Sequence, residues 1–96
     1  MKLLRIVESD KPEKKLMAVF ETDSGRTKTV HFGARGMDDY TITKDKEQRE
    51  RYRTRHKKDL ETQDPTRSGY LSFHILWGDS TSRAKNIADY KRRFNL

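Results

Sequence analysis

The chain has 96 residues and no cysteine, and its 22 Lys and Arg against 15 Asp and Glu give a formal net charge of +7. This length leaves room for one small domain, residues 1–96, and excludes a multidomain organisation. No apolar run approaches the about 20 residues of a membrane-spanning helix, and the N-terminus lacks the apolar core of a signal peptide. Without cysteine, disulfides and thiolate sites are excluded, so we expect an intracellular protein with no membrane contact.

The N-terminal third contains three short segments whose side chains alternate between two faces in the manner of β-strands. These segments are residues 3–7, 16–21 and 27–32, and they are separated by turn signals at 9–13 and 23–25. These spacings predict a three-stranded antiparallel meander. Three strands alone bury too little surface to be stable, so one face of the sheet needs a cover from the downstream chain.

The alternation also assigns side chains to faces. The second strand places Leu16, Ala18 and Phe20 on one face, and the third places Lys28, Val30 and Phe32 on one face. We expect the helices to cover one face of the sheet.

Residues 33–45 break the alternation with two glycines and are predicted as a loop. Asp45 then has the position of an N-cap, with Gln48 three residues on, and residues 46–60 predict a helix. The apolar stripe of this helix is short: Tyr52, His56 and Leu60. Most of its circumference must therefore face solvent or a charged partner.

Two further helices follow. Asp64 as N-cap and Pro65 at the first helical position predict a helix that ends at Gly78. Its core face carries Tyr70, Phe73, Leu76 and Trp77. Ser80 or Thr81 can cap a last helix. Its inner face carries Ala84, Ile87, Ala88, Tyr90 and Phe94. We therefore predict an α+β fold, in which a three-stranded antiparallel meander is followed by three helices packed on the sheet.

The excess positive charge lies on the predicted helices. Residues 1–44 carry nine basic and seven acidic side chains, and residues 45–96 carry thirteen and eight. Arginine pairs with phosphate oxygens through a planar fork and stacks on bases, so we expect a nucleic-acid partner. Duplex DNA, bound through its phosphates and without base specificity, is the leading candidate. The candidate contacts are Arg35, Arg49, Arg51, Arg53, Arg55, Lys57, Lys58, Arg83, Lys85, Lys91, Arg92 and Arg93.

Two other interpretations of these charges stay open. The pairs Glu47 with Arg51 and Arg55 with Asp59 have the i,i+4 spacing of ordinary intrahelical ion pairs, which would make the basic helix merely a solvated face. The turn at 78–80 also has the place of a helix-turn-helix connection. The start of its recognition helix would then carry Thr81, Ser82, Arg83, Lys85 and Asn86.

An enzyme would have to use the few carboxylate and imidazole groups outside these patterns: Asp38, Asp39, His31, His56 and His74. Adjacent aspartates on extended backbone point to opposite sides and cannot chelate one ion, so the pair indicates turn formation or helix capping. The histidines fit packed or hydrogen-bonded positions. No nucleophile elbow, zinc-binding helix or Walker loop is present. The sequence therefore indicates no catalysis, no metal and no cofactor.

Several separated motifs carry a resemblance to a known family. Residues 32–45, FGARGMDDYTITKD, and the YRTRH of residues 52–56 are followed by the LW of 76–77 and the NIADYKRRF of 86–94. In this order they resemble the signature of a family of small basic proteins encoded by nucleocytoplasmic large DNA viruses. The resemblance covers residues 14–95, although the central segment 69–73 is poorer in tryptophan than that signature.

The resemblance implies a protein of the virion or the infected host cell, including its nucleus or viral factory. It is compatible with two functions. One is a DNA-binding protein associated with the viral genome or host chromatin. The other is a small structural component of the virion that docks on acidic capsid or core proteins. An open edge of the sheet could pair with a second copy, as a homodimer, or with a virion protein.

Overall fold

The three predicted strands form one antiparallel sheet with the order β1-β2-β3, and helices cover one of its faces. The structure is a computed structural model that describes all residues, 1–96. The strands are β1 (Lys2–Glu8), β2 (Lys14–Glu21) and β3 (Thr27–Ala34). The helices are α1 (Tyr40–Thr43), α2 (Lys46–His56), α3 (Ser68–Leu71) and α4 (Arg83–Arg93). A 3₁₀ turn, Lys57–Thr62, continues α2, and a π-helix, Ser72–Leu76, continues α3.

The predicted α+β class and the predicted faces of the sheet are confirmed. Leu16 of β2 lies opposite Phe32 of β3, and Ala18 lies opposite Val30. The covered face is closed by the largest fully buried side chains of the downstream chain, among them Leu71, Ile75, Leu76 and Tyr90.

The prediction of a loop over residues 33–45 is wrong in its second half, where α1 forms. Asp39 caps this short helix, because its Oδ1 accepts a hydrogen bond from the backbone N–H of Thr41 at 2.8 Å. Asp45 caps α2 as predicted and accepts from the N–H groups of Glu47 and Gln48. The α-helix ends at His56 instead of residue 60, and its last predicted turn is the tighter 3₁₀ turn.

The third helix begins later than predicted. Asp64 accepts from the backbone N–H of Thr66 at 2.9 Å and so caps a turn, while α3 starts only at Ser68. The helix then widens, and the N–H of Trp77 donates to the carbonyl of Ser72 at 3.1 Å. Gly78 follows where a Cβ would lie 2.1 Å from the backbone oxygen of His74, so this close approach requires glycine.

The last helix is capped by Ser82 and not by Ser80 or Thr81, because the Ser82 hydroxyl accepts from the N–H of Lys85. Asn86 determines this shift. Its buried amide donates to the carbonyls of Ile75 and Ser80 at 2.9 and 2.7 Å and accepts from the N–H of Ser80 at 3.1 Å. These bonds fold the preceding segment back before the helix begins.

The predicted inner face of α4 is confirmed for Ile87, Tyr90 and Phe94, which pack in or against the core. It is wrong for Ala84 and Ala88, which are exposed, and Asn86 is buried instead. The Tyr90 hydroxyl donates to the backbone oxygen of Pro65 at 2.5 Å. The inner face therefore includes a buried amide that the sequence pattern did not place there.

The Asp39 carboxylate joins β2, α1 and α4. It is only 1% exposed, and its Oδ2 accepts from Lys15 Nζ at 2.6 Å and from Arg83 Nη2 at 3.2 Å. Burial would raise the pKa of Asp39, but the hydrogen bonds from Lys15 and Thr41 and the charges of Lys15 and Arg83 outweigh it and hold the pKa below its usual range. A single side chain thus ties three segments that are distant in sequence.

His74 of the π-helix lies in an aromatic cluster. Four rings have centroids within 5.6 Å of its imidazole: Tyr70, Phe73, Tyr90 and Phe94. Burial, reinforced by the charges of Arg93 and Arg53, lowers the pKa of His74 to about 4. The imidazole is therefore neutral at physiological pH and acts as a packing group.

The Asp39→Asn substitution should reduce the free energy of unfolding by about 2–3 kcal/mol. The amide can still cap α1, but it leaves the Lys15 and Arg83 cations without a counter-charge. Urea unfolding at pH 7 measures the loss. Asp38→Asn is the matched control, because Asp38 is exposed, and it should change stability by no more than about 0.5 kcal/mol. Equal losses in the two variants would contradict this role of Asp39.

Acid should weaken the fold through His74. The pKa of His74 is 6.5 in the unfolded chain and about 4 in the folded chain. Between these pH values the unfolded state therefore binds more protons than the folded state. Stability should fall as the pH is lowered through this range. His74→Phe should keep the packing and flatten this dependence. Urea midpoints at pH 7, 5.5 and 4.5 compare the two proteins. An unchanged pH dependence in the variant would contradict the linkage.

Candidate nucleic-acid interface

The helix α2 has two faces with different roles. Its inner face is half-buried and holds Gln48, Arg49, Tyr52, Arg53 and His56. The remaining residues are exposed, and none of the helix is fully buried. The predicted phosphate contacts on α2 are therefore divided between an inner and an outer set.

Arg49 and Arg53 hold α2 against the rest of the molecule. Their guanidinium groups lie 3.6 and 3.2 Å from Oδ1 of Asp79 in the segment before α4. The Arg49 guanidinium also lies 5.2 Å from the centre of the Tyr40 ring, and that of Arg53 lies 4.7 Å from the Phe73 ring. Both side chains are mostly buried, at 17% and 24% exposed, so their charge serves internal contacts.

Arg35 and Arg83 are also engaged within the fold. The Arg35 guanidinium donates to the backbone oxygens of Lys14 at 3.0 Å and Ser9 at 2.7 Å, and it pairs with Glu8 at 2.9 Å. Arg35 thus fastens the turn between β1 and β2 rather than offering a free anion site. Arg83 donates to Thr41 Oγ1 at 2.9 Å beside its contact with Asp39.

The outer set of α2 is free of ion pairs. Arg51, Arg55 and Lys58 are exposed, and none has a carboxylate oxygen within 4.0 Å. The i,i+4 pairs that the sequence offers to Arg51 and Arg55 do not form. Asp59 instead lies 3.2 Å from Nδ1 of His56. Arg51 and Arg55 lie four residues apart on α2, and Lys58 follows three residues later in the 3₁₀ turn that continues it. These spacings bring the three cations to one side of α2 and its extension, which we call the α2 basic strip. Lys57 is exposed beside it.

The cations of α4 do not form such a strip. Arg92 pairs with Asp89 at 2.8 Å, and the Arg93 guanidinium lies 5.6 Å from the Phe94 ring centre. Lys85 and Lys91 are exposed. Each residue turns a helix by about 100°, so Lys91 and Arg93 project about 160° apart. The charge of α4 is thus distributed around the helix.

Three of the side chains that a helix-turn-helix would use to contact bases are engaged within the fold. The Asn86 amide is used by the carbonyls of Ile75 and Ser80, and Arg83 is held by Asp39. The Ser82 hydroxyl caps its own helix. Asn86, Arg83 and Ser82 therefore bind groups of the protein itself, which argues against a recognition helix at this position.

A cleft with a volume of about 590 Å³ lies beside the α2 basic strip. Its walls come from the ends of β2 and β3, the loop before α1, the inner side of α2 and the start of α3. Arg55 lines the cleft and also belongs to the strip. The residues of the motifs that carry the resemblance meet here, among them Phe32, Gly33, Asp39 and Trp77.

The cleft contains a stack of three aromatic rings that the sequence patterns did not predict. The Tyr52 ring lies between Trp77, at a centroid distance of 4.3 Å and an interplanar angle of 8°, and His56, at 4.1 Å and 21°. Tyr52 and His56 are one helical turn apart, which the sequence does indicate. Trp77 comes from a distant segment, so only the fold adds the third ring.

The charges that line the cleft balance. Lys14, Lys15 and Arg55 are matched by three aspartates, of which Asp39 is paired with Lys15 and Arg83 and Asp59 contacts His56. Burial, together with the negative charge of Asp59, raises the pKa of Tyr52 to about 12. The tyrosine hydroxyl therefore stays protonated at neutral pH, and the cleft presents a neutral, polar and aromatic surface.

His31, one of the residues considered for catalysis, has a structural contact. His31 Nδ1 is hydrogen-bonded to Ser9 Oγ at 2.7 Å on the uncovered side of the sheet. No three His, Asp or Glu side chains converge in a geometry that could hold a metal ion. No helix has the length and apolar character needed to span a bilayer.

Comparison with protein families matches residues 4–56 to a family of unknown function, DUF5754. The matched segment contains β1 from Leu4 onward, all of β2 and β3, α1 and α2, and with them Arg51, Arg55 and two of the three stacked rings. No curated protein and no solved structure matches the chain. Because the match covers more than half of the 96 residues, the chain belongs to the DUF5754 family.

Proposed function

We propose that this protein binds nucleic acid through phosphate contacts made by the α2 basic strip, without reading base sequence in a duplex. The observation that carries the proposal is the state of Arg51, Arg55 and Lys58. They are exposed, lie on one face and have no acidic partner, whereas their helix neighbours Arg49 and Arg53 are used internally.

The dimensions of the strip suit a phosphate backbone. From Arg51 to His56 the α-helix rises about 7.5 Å, and the two residues of the 3₁₀ turn up to Lys58 add about 4 Å, so the strip is about 11 Å long. B-DNA carries one phosphate per about 3.4 Å of each strand, so the strip spans about three phosphates. Arginine side chains can hold two phosphate oxygens at once, and Lys57, Lys85, Lys91 and Arg93 add longer-range attraction to a chain with a net charge of +7.

The resemblance to small basic proteins of large DNA viruses supplies the context of this proposal. In that context the nucleic acid is the viral genome or host chromatin, and the protein acts in the virion or the infected cell. No catalytic step is part of the proposal, because phosphate contacts by exposed cations position a nucleic acid and do not by themselves cleave it.

A role as a structural component of the particle is a second candidate, and the free edge of β1 favours it. β1 has a sheet partner on one side only, and it carries two exposed apolar side chains, Leu4 at 41% and Val7 at 38%. Such an edge can add a strand from a second copy or from another protein. In this function the α2 basic strip would dock on acidic protein surfaces.

The test is a triple substitution of the strip, Arg51→Gln, Arg55→Gln and Lys58→Gln. For the wild-type chain, the logarithm of duplex affinity should fall linearly with the logarithm of salt concentration because bound phosphates release counterions. The triple variant should bind at least tenfold more weakly at low salt. Its salt slope should be smaller by about 2–3, since each phosphate that is no longer neutralised reduces the slope by about 0.9. Fluorescence anisotropy with a labelled 20-base-pair duplex measures both quantities.

A charge-matched variant, Arg5→Gln, Lys11→Gln and Arg26→Gln, is the control. These cations are exposed and lie on β1 and in the two turns of the sheet, so removing them lowers the net charge equally without touching α2. Equal loss of affinity in the two variants would mean that binding depends only on net charge, and it would overturn the role of the α2 basic strip. Binding to polyglutamate as tight as to duplex would favour the structural candidate instead.

A further inference from the structure

The cleft beside the α2 basic strip has the features of a site for a planar, neutral ring. Its volume of about 590 Å³ lies within the range of about 300–1,000 Å³ found for pockets that hold small ligands. Apart from Arg55 at its mouth, its formal charges are those of Lys14 and Lys15 against three aspartates, so the interior of the cleft does not attract a phosphate group. Ser68, Ser72 and Gln48 supply uncharged hydrogen-bonding groups on its walls.

The aromatic stack in the cleft has one accessible end. Trp77 is only 7% exposed and lies at the buried end, with Tyr52 in the middle. The His56 side chain is 41% exposed, and its inner face is already stacked on Tyr52. A further planar ring placed on the outer face of His56 would extend the stack. Aromatic side chains with an open face are the usual platforms for unpaired bases.

The strip and the cleft are continuous. Arg55 belongs to both, and His56 follows it directly in the chain. A strand whose phosphates lie on Arg51, Arg55 and Lys58 therefore passes the mouth of the cleft with its bases beside the accessible end of the stack. A closed duplex keeps its bases paired and cannot use this end.

We propose that the cleft receives one unpaired base of a strand whose phosphates lie on the α2 basic strip, with the base stacked on His56. The inference rests on the proposed function and adds a ligand class to it. The protein then favours single-stranded or locally open nucleic acid over a closed duplex, and it does so with little base preference, because every base has an aromatic face.

Three labelled DNA probes of equal length test the proposal with the full chain: a single strand, the corresponding duplex, and a single strand built entirely of abasic residues. The abasic strand has the same phosphates and no bases. The wild-type chain should bind the ordinary single strand at least fivefold more tightly than the abasic strand. Equal affinity for these two strands would overturn the inference and leave the proposed function standing.

Substitutions of His56 identify the platform. His56→Ala should abolish most of the preference for the strand with bases and leave abasic binding within twofold, whereas His56→Phe, which restores a planar ring, should retain it. His31→Ala removes an imidazole on the uncovered side of the sheet and should change neither affinity. A His56→Ala variant that keeps the full preference would overturn the stacking role. The wild-type comparison and His56→Phe carry the test if His56→Ala does not fold.

The strip variant separates the two proposals. Loss of binding to all three probes when Arg51, Arg55 and Lys58 become Gln supports the phosphate contacts on which the base site depends. If that variant binds every probe as the wild type does, the proposed function fails and the base site fails with it. If polyglutamate displaces the single strand at an equal concentration of negative charge, the α2 basic strip binds an acidic protein. That result would overturn both the proposed function and the base site.

Discussion

A buried carboxylate and its two cations determine how this small domain is assembled. Asp39 accepts from Lys15 of β2 and Arg83 of α4, and it caps α1 through Thr41. A buried carboxylate without these partners would be costly, so the three segments stabilise one another through it. The hydrogen bond that Asp39 accepts from Lys15 attaches the loop after β3 to the sheet, and this loop forms a wall of the cleft.

Charged side chains also attach α2 to the rest of the domain. α2 offers few apolar side chains to the core, and Arg49 and Arg53 replace them by binding Asp79 and by lying over the rings of Tyr40 and Phe73. A helix attached in this way keeps its outer face free of apolar groups. The same charge-rich sequence thus provides both the attachment of α2 and the exposed α2 basic strip.

Sequence patterns predicted what depends on local spacing. The strands follow from short apolar runs bounded by turn signals, and the cap of α2 follows from Asp45. The cap of α4 and the π-helix depend instead on Asn86 and on the close approach at Gly78. The Asn86 amide reaches Ile75 eleven residues away, and Gly78 approaches the backbone of the preceding turn, so neither contact follows from apolar periodicity or a capping pattern. The four arginines between 49 and 55 look alike in sequence, and only their partners in the folded chain divide them into structural and exposed pairs.

The family match ends at His56, the last residue of α2. Most of the side chains that close the apolar face of the sheet come later, including Leu71, Ile75 and Tyr90, and so does the second cation of Asp39. A chain cut after residue 56 would keep three strands, α1 and α2, but it would lose these covering side chains from Phe20 and Phe32, at a cost of about 25 cal/mol per Å² of apolar surface exposed. The matched segment is therefore shorter than the unit that folds in this chain. The later residues Leu71, Ile75 and Tyr90 complete the core, and Trp77 completes the wall of the cleft, so the α2 basic strip and the stack beside it depend on a layer outside the match.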